Sequence, residues 1–306
     1  MEREEVSIVI PVRDRESLIC RTLDSVGAQT WRPLHLIVVD NNSTDASVRK
    51  VSEWAASRVS DTGLRVTQLQ ETRPGASAAR NRGLEAVTGR YVIFFDSDDE
   101  MMPGLVERAM ANAGAADIVY WKAELVGLDG RRSLKPFHTD SLLRRQFYNS
   151  MLATQVYMAR ADFIRSIGGW EERAAVWNDW ELGVRIALAS PRSVAVPEVL
   201  VRIHAQAESI TGRRFRDRKG EWEKTIDMIA RRIAGHPQQH LMESMLDYRR
   251  VILAAHYRRE GDRAGARSLL AEALRRKGLS LRERIMLRLI YRYTAAGGRG
   301  AYYLWK

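Results

Sequence analysis

The sequence predicts an α/β protein, a mostly parallel sheet flanked by helices, followed by a C-terminal α-helical subdomain. Three observations point there. Between Val6 and His204, short β-branched and aliphatic runs alternate with segments of helical apolar spacing, the pattern of a parallel sheet with right-handed crossovers. One run, Tyr91–Asp99 (YVIFFDSDD), passes from apolar and aromatic residues straight into three carboxylates. The charge is also uneven: residues 1–210 carry 26 Lys+Arg against 28 Asp+Glu, and residues 211–306 carry 23 against 10, so the net +11 belongs to the tail. The expected division is 1–210 and 211–306.

Each element has its own signal. Val6–Val12 (VSIVIPV) is a first strand, with Pro11 expected to end its regular pairing. Ser17–Gln29 has helical spacing and is the first crossover. Leu34–Val39 is a second strand, ending in Asp40, Asn41, Asn42, Ser43, Thr44 and Asp45, which is turn and capping chemistry. A helix from about Ala46 to Ser57, a strand at Leu64–Gln70, a Pro-Gly turn and another helix lead to the central strand at Tyr91. Beyond it, Pro103 suits a first helical turn. Asp117–Val126 is a strand, and Leu128–Arg132 a hairpin turn. A helix at Leu142–Tyr148 and a strand at Thr154–Arg160 precede a short helix closed by Gly168 and Gly169. A helix opening at Trp177–Trp180 and a strand over Ser193–Ile203, ending at His204, complete this part. The tail is helical, with Trp222, Ile226, Ile229 and Ile233 on one face and a second stripe beginning at Leu241, Met245 and Leu246. A break at Gly261-Asp262 gives a helix pair resembling one tetratricopeptide unit.

A continuous apolar strand is buried on both faces, and in such sheets ligands bind beyond the carboxyl ends of the strands. Asp96, Asp98 and Asp99 therefore stand where chemistry is expected. Crowded carboxylates repel unless a cation lies among them, and hard oxygen donors suit magnesium or manganese. The alternative is a solvated acidic turn.

Composition narrows the class. Hydrophobic residues make up 45% of the 306 and charged residues 28%, ordinary for a globular protein. The single cysteine, Cys20, permits no internal disulfide, which fits a reducing compartment. It is expected to be a buried small hydrophobe rather than a nucleophile. The start, MEREEVSIVI, lacks the basic end and long apolar core of a leader, and no apolar run is long enough to span a membrane. The expected location is cytoplasmic, with the basic tail offering peripheral contact to an anionic inner membrane face. A solvated arginine-rich face is the plain alternative. No nucleic acid partner is expected, and oligomeric state is open.

Five segments together resemble a known family. VSIVIPVRDR, IVVDNNSTD, PGASAARNRGLEAVTGRYVIFFDSDD, GGWEERAAVWNDWEL and VRIHAQAESIT are similar, in order and spacing, to the motifs of family 2 glycosyltransferases. These have the nucleotide-sugar-binding GT-A fold, a Rossmann-like sheet. The resemblance covers about residues 6–210. It implies that Asp96, Ser97 and Asp98 form the metal- and diphosphate-binding turn, with Asp98 the direct ligand of Mn2+ or Mg2+, and that Asp99 caps a helix, orients Asp98 or shares the site. It implies that Asp40 and Asn41 read the nucleotide base, although the family more often has a second aspartate where Asn41 stands. An asparagine still offers both donor and acceptor. UDP is the first expectation, with dTDP and GDP behind. Pro11, Val12 and Arg13 resemble residues lining base and ribose, and Arg80 and Asn81 a pair near the nucleotide. Arg80 could instead make a salt bridge within the domain.

By the same resemblance Asp179 is the catalytic base, although Asn178-Asp179 replaces the usual Glu-Asp. Without it, Asp179 at a helix start reads as a cap. His204 resembles a histidine that faces metal and diphosphate, and could otherwise be a core histidine. Trp170, Trp177 and Trp180 surround the base in sequence and could stack on an acceptor sugar; Trp170 and Trp180 could equally be core. The expected activity is metal-dependent, inverting transfer of a sugar from a nucleotide donor to a hydroxyl of a glycan, lipid-linked sugar or peptide. Two rivals are a non-catalytic glycosyltransferase-like scaffold and a nucleotidyltransferase. The second lacks its glycine-rich loop, since PVRDR follows the first strand. A dinucleotide-binding dehydrogenase fails for the same reason.

Overall fold

A computed structural model of the protein describes residues 3–58, 60–206, 215–298 and 300–304. The expected boundary at Thr211, and the end of the last motif (207–211), lie outside the described residues. The chain divides into two compact units. One comprises Met1–Leu142, Met151–Arg173 and Asn178–Gln206; the other comprises Leu143–Ser150, Ala174–Trp177 and Ala207–Lys306.

In the first unit the elements run β1 (Val6–Val12), α1 (Ile19–Gly27), β2 (Leu34–Asp40), α2 (Ser47–Ser57), β3 (Leu64–Gln70), α3 (Ala76–Glu85), β4 (Tyr91–Phe94), β5 (Glu100–Met101), α4 (Leu105–Ala111), β6 (Ile118–Val126) and β7 (Arg132–Leu134). After α5 (Leu142–Asn149), most of which lies in the other unit, come β8 (Tyr157–Arg160), α6 (Ala161–Ser166), α7 (Asn178–Leu188) and β9 (Ser193–His204). Among the described residues the sheet has nine strands in the order β3-β2-β1-β4-β8-β6-β9-β5, with β7 paired to β6.

β1, β2, β3 and β4 are parallel. β8 runs against both β4 and β6, so β6, and β9 parallel to it, point the same way as β4. The carboxyl ends of β1, β2, β4 and β9 therefore share one edge of the sheet. Every residue of β1 is buried because both faces are covered. α1, α2 and α4 supply Ile19, Leu23, Val26, Val51, Trp54 and Leu105 to one apolar layer. α3, α6 and α7 supply Ala79, Leu84, Ile164, Leu182 and Ile186 to the other.

Three expectations need correction, and one strand, β5, was not expected. Pro11 does not end the pairing: it stays in register with Val39 of β2. Peptides of a strand face alternate neighbours, and since Val9 accepts from Phe95 N, Pro11 faces the side where β4 has finished. Its missing N–H therefore leaves nothing unpaired. The strand expected over Thr154–Arg160 begins only at Tyr157, because Val156 N closes a turn on Ala153 O. Beyond the acidic turn the chain re-enters the sheet as β5, where Glu100 and Met101 pair with Arg202 and Val201. Cys20 is exposed: α1 turns Ile19, Thr22, Leu23 and Val26 inward, one residue out of phase with it.

In the second unit α8 (Glu221–Ile233), α9 (Gln239–Arg259), α10 (Arg263–Arg275) and α11 (Leu281–Ala295) follow a short 3-10 turn at Phe215–Arg218. Trp222, Ile226, Ile229 and Ile233 are buried as one face of α8. Leu241, expected to begin an apolar stripe, is exposed, whereas Met245 and Leu246 are buried. α9 stops at Gly261, whose φ of +90° suits glycine. Asp262 then caps α10 by accepting from Gly265 N at 2.8 Å. Tyr248, Val251, Ala273, Leu287 and Ile290 pack as the core of α9, α10 and α11.

Candidate active site at the carboxyl edge of the sheet

The acidic turn is held from below by α1. Thr22 Oγ1 donates to Asp99 O (2.8 Å), Arg21 to Asp98 O (2.5 Å), and Gln29 Nε2 to Met102 O (2.8 Å). Ser25 Oγ accepts from Met101 N (3.1 Å) and Gln29 Oε1 from Val106 N (3.1 Å). Thr22 and Ser25 lie one turn apart on α1 and Gln29 just past its end, so a polar row along α1 and its C-terminus holds backbone groups between residues 98 and 106.

The three carboxylates are then treated differently. Asp96 Oδ1 accepts from Arg80 (2.6 Å) and its Oδ2 from Gln155 (2.6 Å). The Asp99 carboxylate accepts from His204 N (2.8 Å) and from Gln155 (2.5 Å). Only Asp98 lacks a close side-chain donor, with Arg15 Nε at 3.9 Å. Burial, then repulsion from Asp96, push the Asp98 pKa up to about 6. Burial, with Asp96 and Asp98, lifts Asp99 well above the carboxylate range. A divalent cation beside Asp98 would relieve this crowding. Among the described residues, no three His, Cys, Asp or Glu side chains come together as a ready-made metal cage. The His204 ring lies 3.2 Å from Glu100 Oε2, at the end of β9.

Asp179 is the second residue of α7. Its Oδ1 accepts from Trp180 N at 2.8 Å. Its pKa is raised by burial, with Asp96 adding to the rise and Lys135 and Arg80 opposing it, so Asp179 and Asp96 feel one another across the same site. The Arg80 side chain, 5% exposed, ion-pairs with Asp96, and its guanidinium stacks 4.3 Å from the Trp170 ring. The salt-bridge alternative for Arg80 is what the structure contains.

Other expected residues turn inward. Asn41 is buried and donates to Glu71 O (2.8 Å) and Arg73 O (2.7 Å) while accepting from Gly75 N (2.7 Å). Its amide is committed to the backbone before α3 and not to a base. Asn81 accepts from Trp170 N (2.8 Å) and donates to Trp170 O (2.9 Å) and Glu172 (3.0 Å). It thereby ties α3 to the loop before α7. Gly169 makes that loop possible, since its φ is +63° and a Cβ there would lie 2.8 Å from Asn81 Oδ1. Trp170 and Trp180 are 2% and 0% exposed, which removes them as sugar platforms. Trp170 packs edge-on to Phe94 at 5.2 Å. Trp177 belongs to the second unit, where it packs against Trp222 at 4.8 Å. Pro11 and Val12 are buried and Arg13 is exposed. Asp40 accepts from Ser43 N at 3.2 Å and lines a cleft of about 310 Å³ with Val12, Val48, Gln68 and Gln70.

A family model, Glycosyl transferase family 2, matches residues 7–160, from β1 through β8. The chain belongs to this family. This family 2 glycosyltransferase is 35% identical over 114 residues to the uncharacterized glycosyltransferase YibD of Escherichia coli, a match spanning 37% of the chain and 32% of that protein. The chain thus covers about a third of that relative's length. Staphylococcus aureus TarS 1-349, solved in complex with UDP-GlcNAc, superposes with a TM-score of 0.68 at 17% identity, over 95% of this chain and 87% of that one. The Pyrobaculum calidifontis mannosyltransferase PcManGT, solved with GDP-Man and Mn2+, superposes with a TM-score of 0.59 at 20% identity, over 99% and 85%. These likenesses show the GT-A fold, a mixed sheet flanked by helices with further helices at the C-terminus.

Gln155 and Lys135 lie outside the sequence motifs of this glycosyltransferase, and Arg15, the last residue of VSIVIPVRDR, was given no role there. Gln155 sits alone before β8 with nothing local to mark it, and only the fold brings it between Asp96 and Asp99. The stripe did have a signal, since Thr22, Ser25 and Gln29 fall at helical spacing within the segment Ser17–Gln29.

Proposed function

We propose that this chain transfers a sugar from a nucleoside-diphosphate donor, UDP-linked first, to an acceptor hydroxyl of a glycan, lipid-linked sugar or peptide, with inversion. The observation that carries the reading is the unequal treatment of the acidic turn. Asp96 and Asp99 are neutralised or pinned by Arg80, Gln155 and the His204 backbone, while Asp98 is left charged, crowded and short of donors. That is a poor arrangement for a structural carboxylate and a good one for a ligand to a divalent cation. Mg2+ and Mn2+ are held at such sites by one or two carboxylates together with substrate phosphates. Asp98 would hold the cation, with His204 and Asp99 close to it. The cation, when bound, stabilises the negative charge that gathers on the departing diphosphate. The solved complexes of TarS with UDP-GlcNAc and of PcManGT with GDP-Man and Mn2+ support both donor class and metal.

Asp179 is the proton acceptor in this reading. Its raised pKa strengthens it as a base. It accepts the hydroxyl proton as that oxygen bonds to the anomeric carbon and the bond to the diphosphate breaks. Attack from the face opposite the leaving group inverts the centre. Arg80 keeps Asp96 in place and limits the repulsion that Asp179 feels. Asn41 and Asn81 act by shaping the walls, and the 310 Å³ cleft beside Asp40 is the candidate base pocket. The first unit, which ends at Gln206, is the catalytic one in this reading, and the second, which takes Leu143–Ser150 and Ala174–Trp177 besides the basic tail, is helical.

Release of nucleoside diphosphate, measured across a panel of nucleotide sugars with and without Mn2+, tests the reading. Metal-stimulated release from at least one UDP-sugar is expected. Release from none of the panel would support a scaffold.

A further inference from the structure

The exposed large apolar side chains are unevenly distributed. Val48, Leu128, Leu134 and Leu241 are scattered, whereas Leu281 (74% exposed), Ile285 (46%), Leu289 (48%) and Tyr293 (44%) all lie on α11. They recur every fourth residue, which sets them along one side of the helix over about 18 Å at 1.5 Å per residue. Single exposed leucines are ordinary; a row is not.

The charges on this side have one sign. Arg282, Arg288 and Arg292 are exposed among the apolar residues. The one acid of α11, Glu283, is withdrawn: it bonds Ser280 N at 2.8 Å and lies 3.4 Å from Arg276. Arg284 is turned away as well, donating to Leu274 O at 2.5 Å. The opposite side of α11 is fixed in the core by Leu287 and Ile290, so this face is a rigid feature of the folded unit.

We propose that this face of α11 docks in the plane of an anionic phospholipid surface. Leucine and isoleucine enter the boundary between headgroups and acyl chains, while the arginines reach phosphates along their own stems. A second copy of the chain is a poor occupant, since a two-fold contact would set three arginines against three with no acid on either side. No helix among the described residues, α11 included, is long and apolar enough to cross a membrane. The excess of 23 Lys+Arg over 10 Asp+Glu in residues 211–306 adds a general attraction to the same surface. The inference rests on α11 alone and holds whether or not the chain transfers sugars. If it does, docking would favour a lipid-linked acceptor.

The test is flotation of the full chain with phosphatidylcholine vesicles, with and without phosphatidylglycerol, read by binding and not by activity. Binding to the anionic vesicles only, weakening as salt is raised, is expected. Joint replacement Leu281→Ser, Ile285→Ser and Leu289→Ser should lower partitioning at least about tenfold. Arg282→Gln, Arg288→Gln and Arg292→Gln together should lower it by on the order of a hundredfold. Both variants replace exposed side chains, so an unchanged melting temperature is the folding control. Absence of flotation, or wild-type flotation of the serine variant, would overturn the proposal. A chain that light scattering shows to be a dimer, made monomeric by the serine changes with no vesicle binding, would assign the face to self-association instead.

Discussion

Two regions of this protein gather like charges, and they do so under opposite conditions. At the edge of the sheet Asp96, Asp98 and Asp99 crowd into a mostly buried turn, and burial with mutual repulsion pushes Asp98 up to about 6. On α11, Arg282, Arg288 and Arg292 stand apart in water, where repulsion is weak and screened. The difference lies in what each region can recognise. The buried cluster has fixed geometry, few free lone pairs and a large electrostatic cost, so it suits one small cation held with a phosphate. The exposed cluster has area, mobile charge and apolar neighbours, so it suits a broad anionic surface.

The largest effect expected concerns the residue that shares the buried field. Asp179→Asn keeps the shape and much of the capping ability of the side chain and removes only its charge. Turnover should fall by about 10² to 10⁴, with donor affinity and melting temperature little changed. A residue serving only as a cap would instead cost roughly 1 kcal/mol of stability and little rate. Near-normal turnover would move the base elsewhere, with Glu181 next; but Glu181 is fully buried and paired to Arg185 at 2.7 Å, which makes it the weaker candidate.

A second contrast lies in stability. A carboxyl whose folded pKa exceeds its unfolded value near 3.8 disfavours the folded state above the folded pKa, and the penalty fades as pH falls towards the unfolded one. Without metal, Asp98→Asn should therefore be more stable than wild type at pH 7, by up to roughly 3 kcal/mol. The gap should close between about pH 6 and pH 4. Thermal melts of both proteins across that range check it, and a gap independent of pH would remove the charge explanation. Neutralising Arg288 on α11 should shift stability by less than about 0.5 kcal/mol at any pH.

A smaller effect than that at Asp98 tests the frame around the site. Gly169→Ala places a Cβ against Asn81 Oδ1 at a positive φ and should cost about 1–2 kcal/mol. Its effect on turnover should follow from a shifted α7, whereas donor affinity should change little.

Much of this was legible in the sequence, for reasons that also explain the rest. β1 fell where its β-branched run begins and ends, because a strand buried on both faces needs unbroken apolar residues; β3, at the end of the strand order and largely open to water, was marked by its alternating pattern instead. The acidic turn was visible because three carboxylates after such a run have few other uses. Strand direction was not visible: periodicity carries no direction, so β8 running against β4 and β6 emerged only from the fold. Trp170 and Trp180 looked available and are core, since an aromatic beside a motif reads the same either way. Asn41 and Asn81 occupy motif positions and spend their amides on backbone groups. Gln155 bonds two of the three carboxylates and had no local signal at all. α11 was visible only as part of a basic tail; its apolar row needed burial to separate outward leucines from inward ones.

The most direct test of the central claim is calorimetric titration of Mn2+ with UDP into the wild-type chain and into Asp98→Ala. Asp98 lies at a strand end, outside the apolar core, so the variant should fold. Manganese-dependent UDP binding in wild type, lost in the variant with no fall in melting temperature, is the expected result. Equal manganese-dependent binding in both proteins would contradict it.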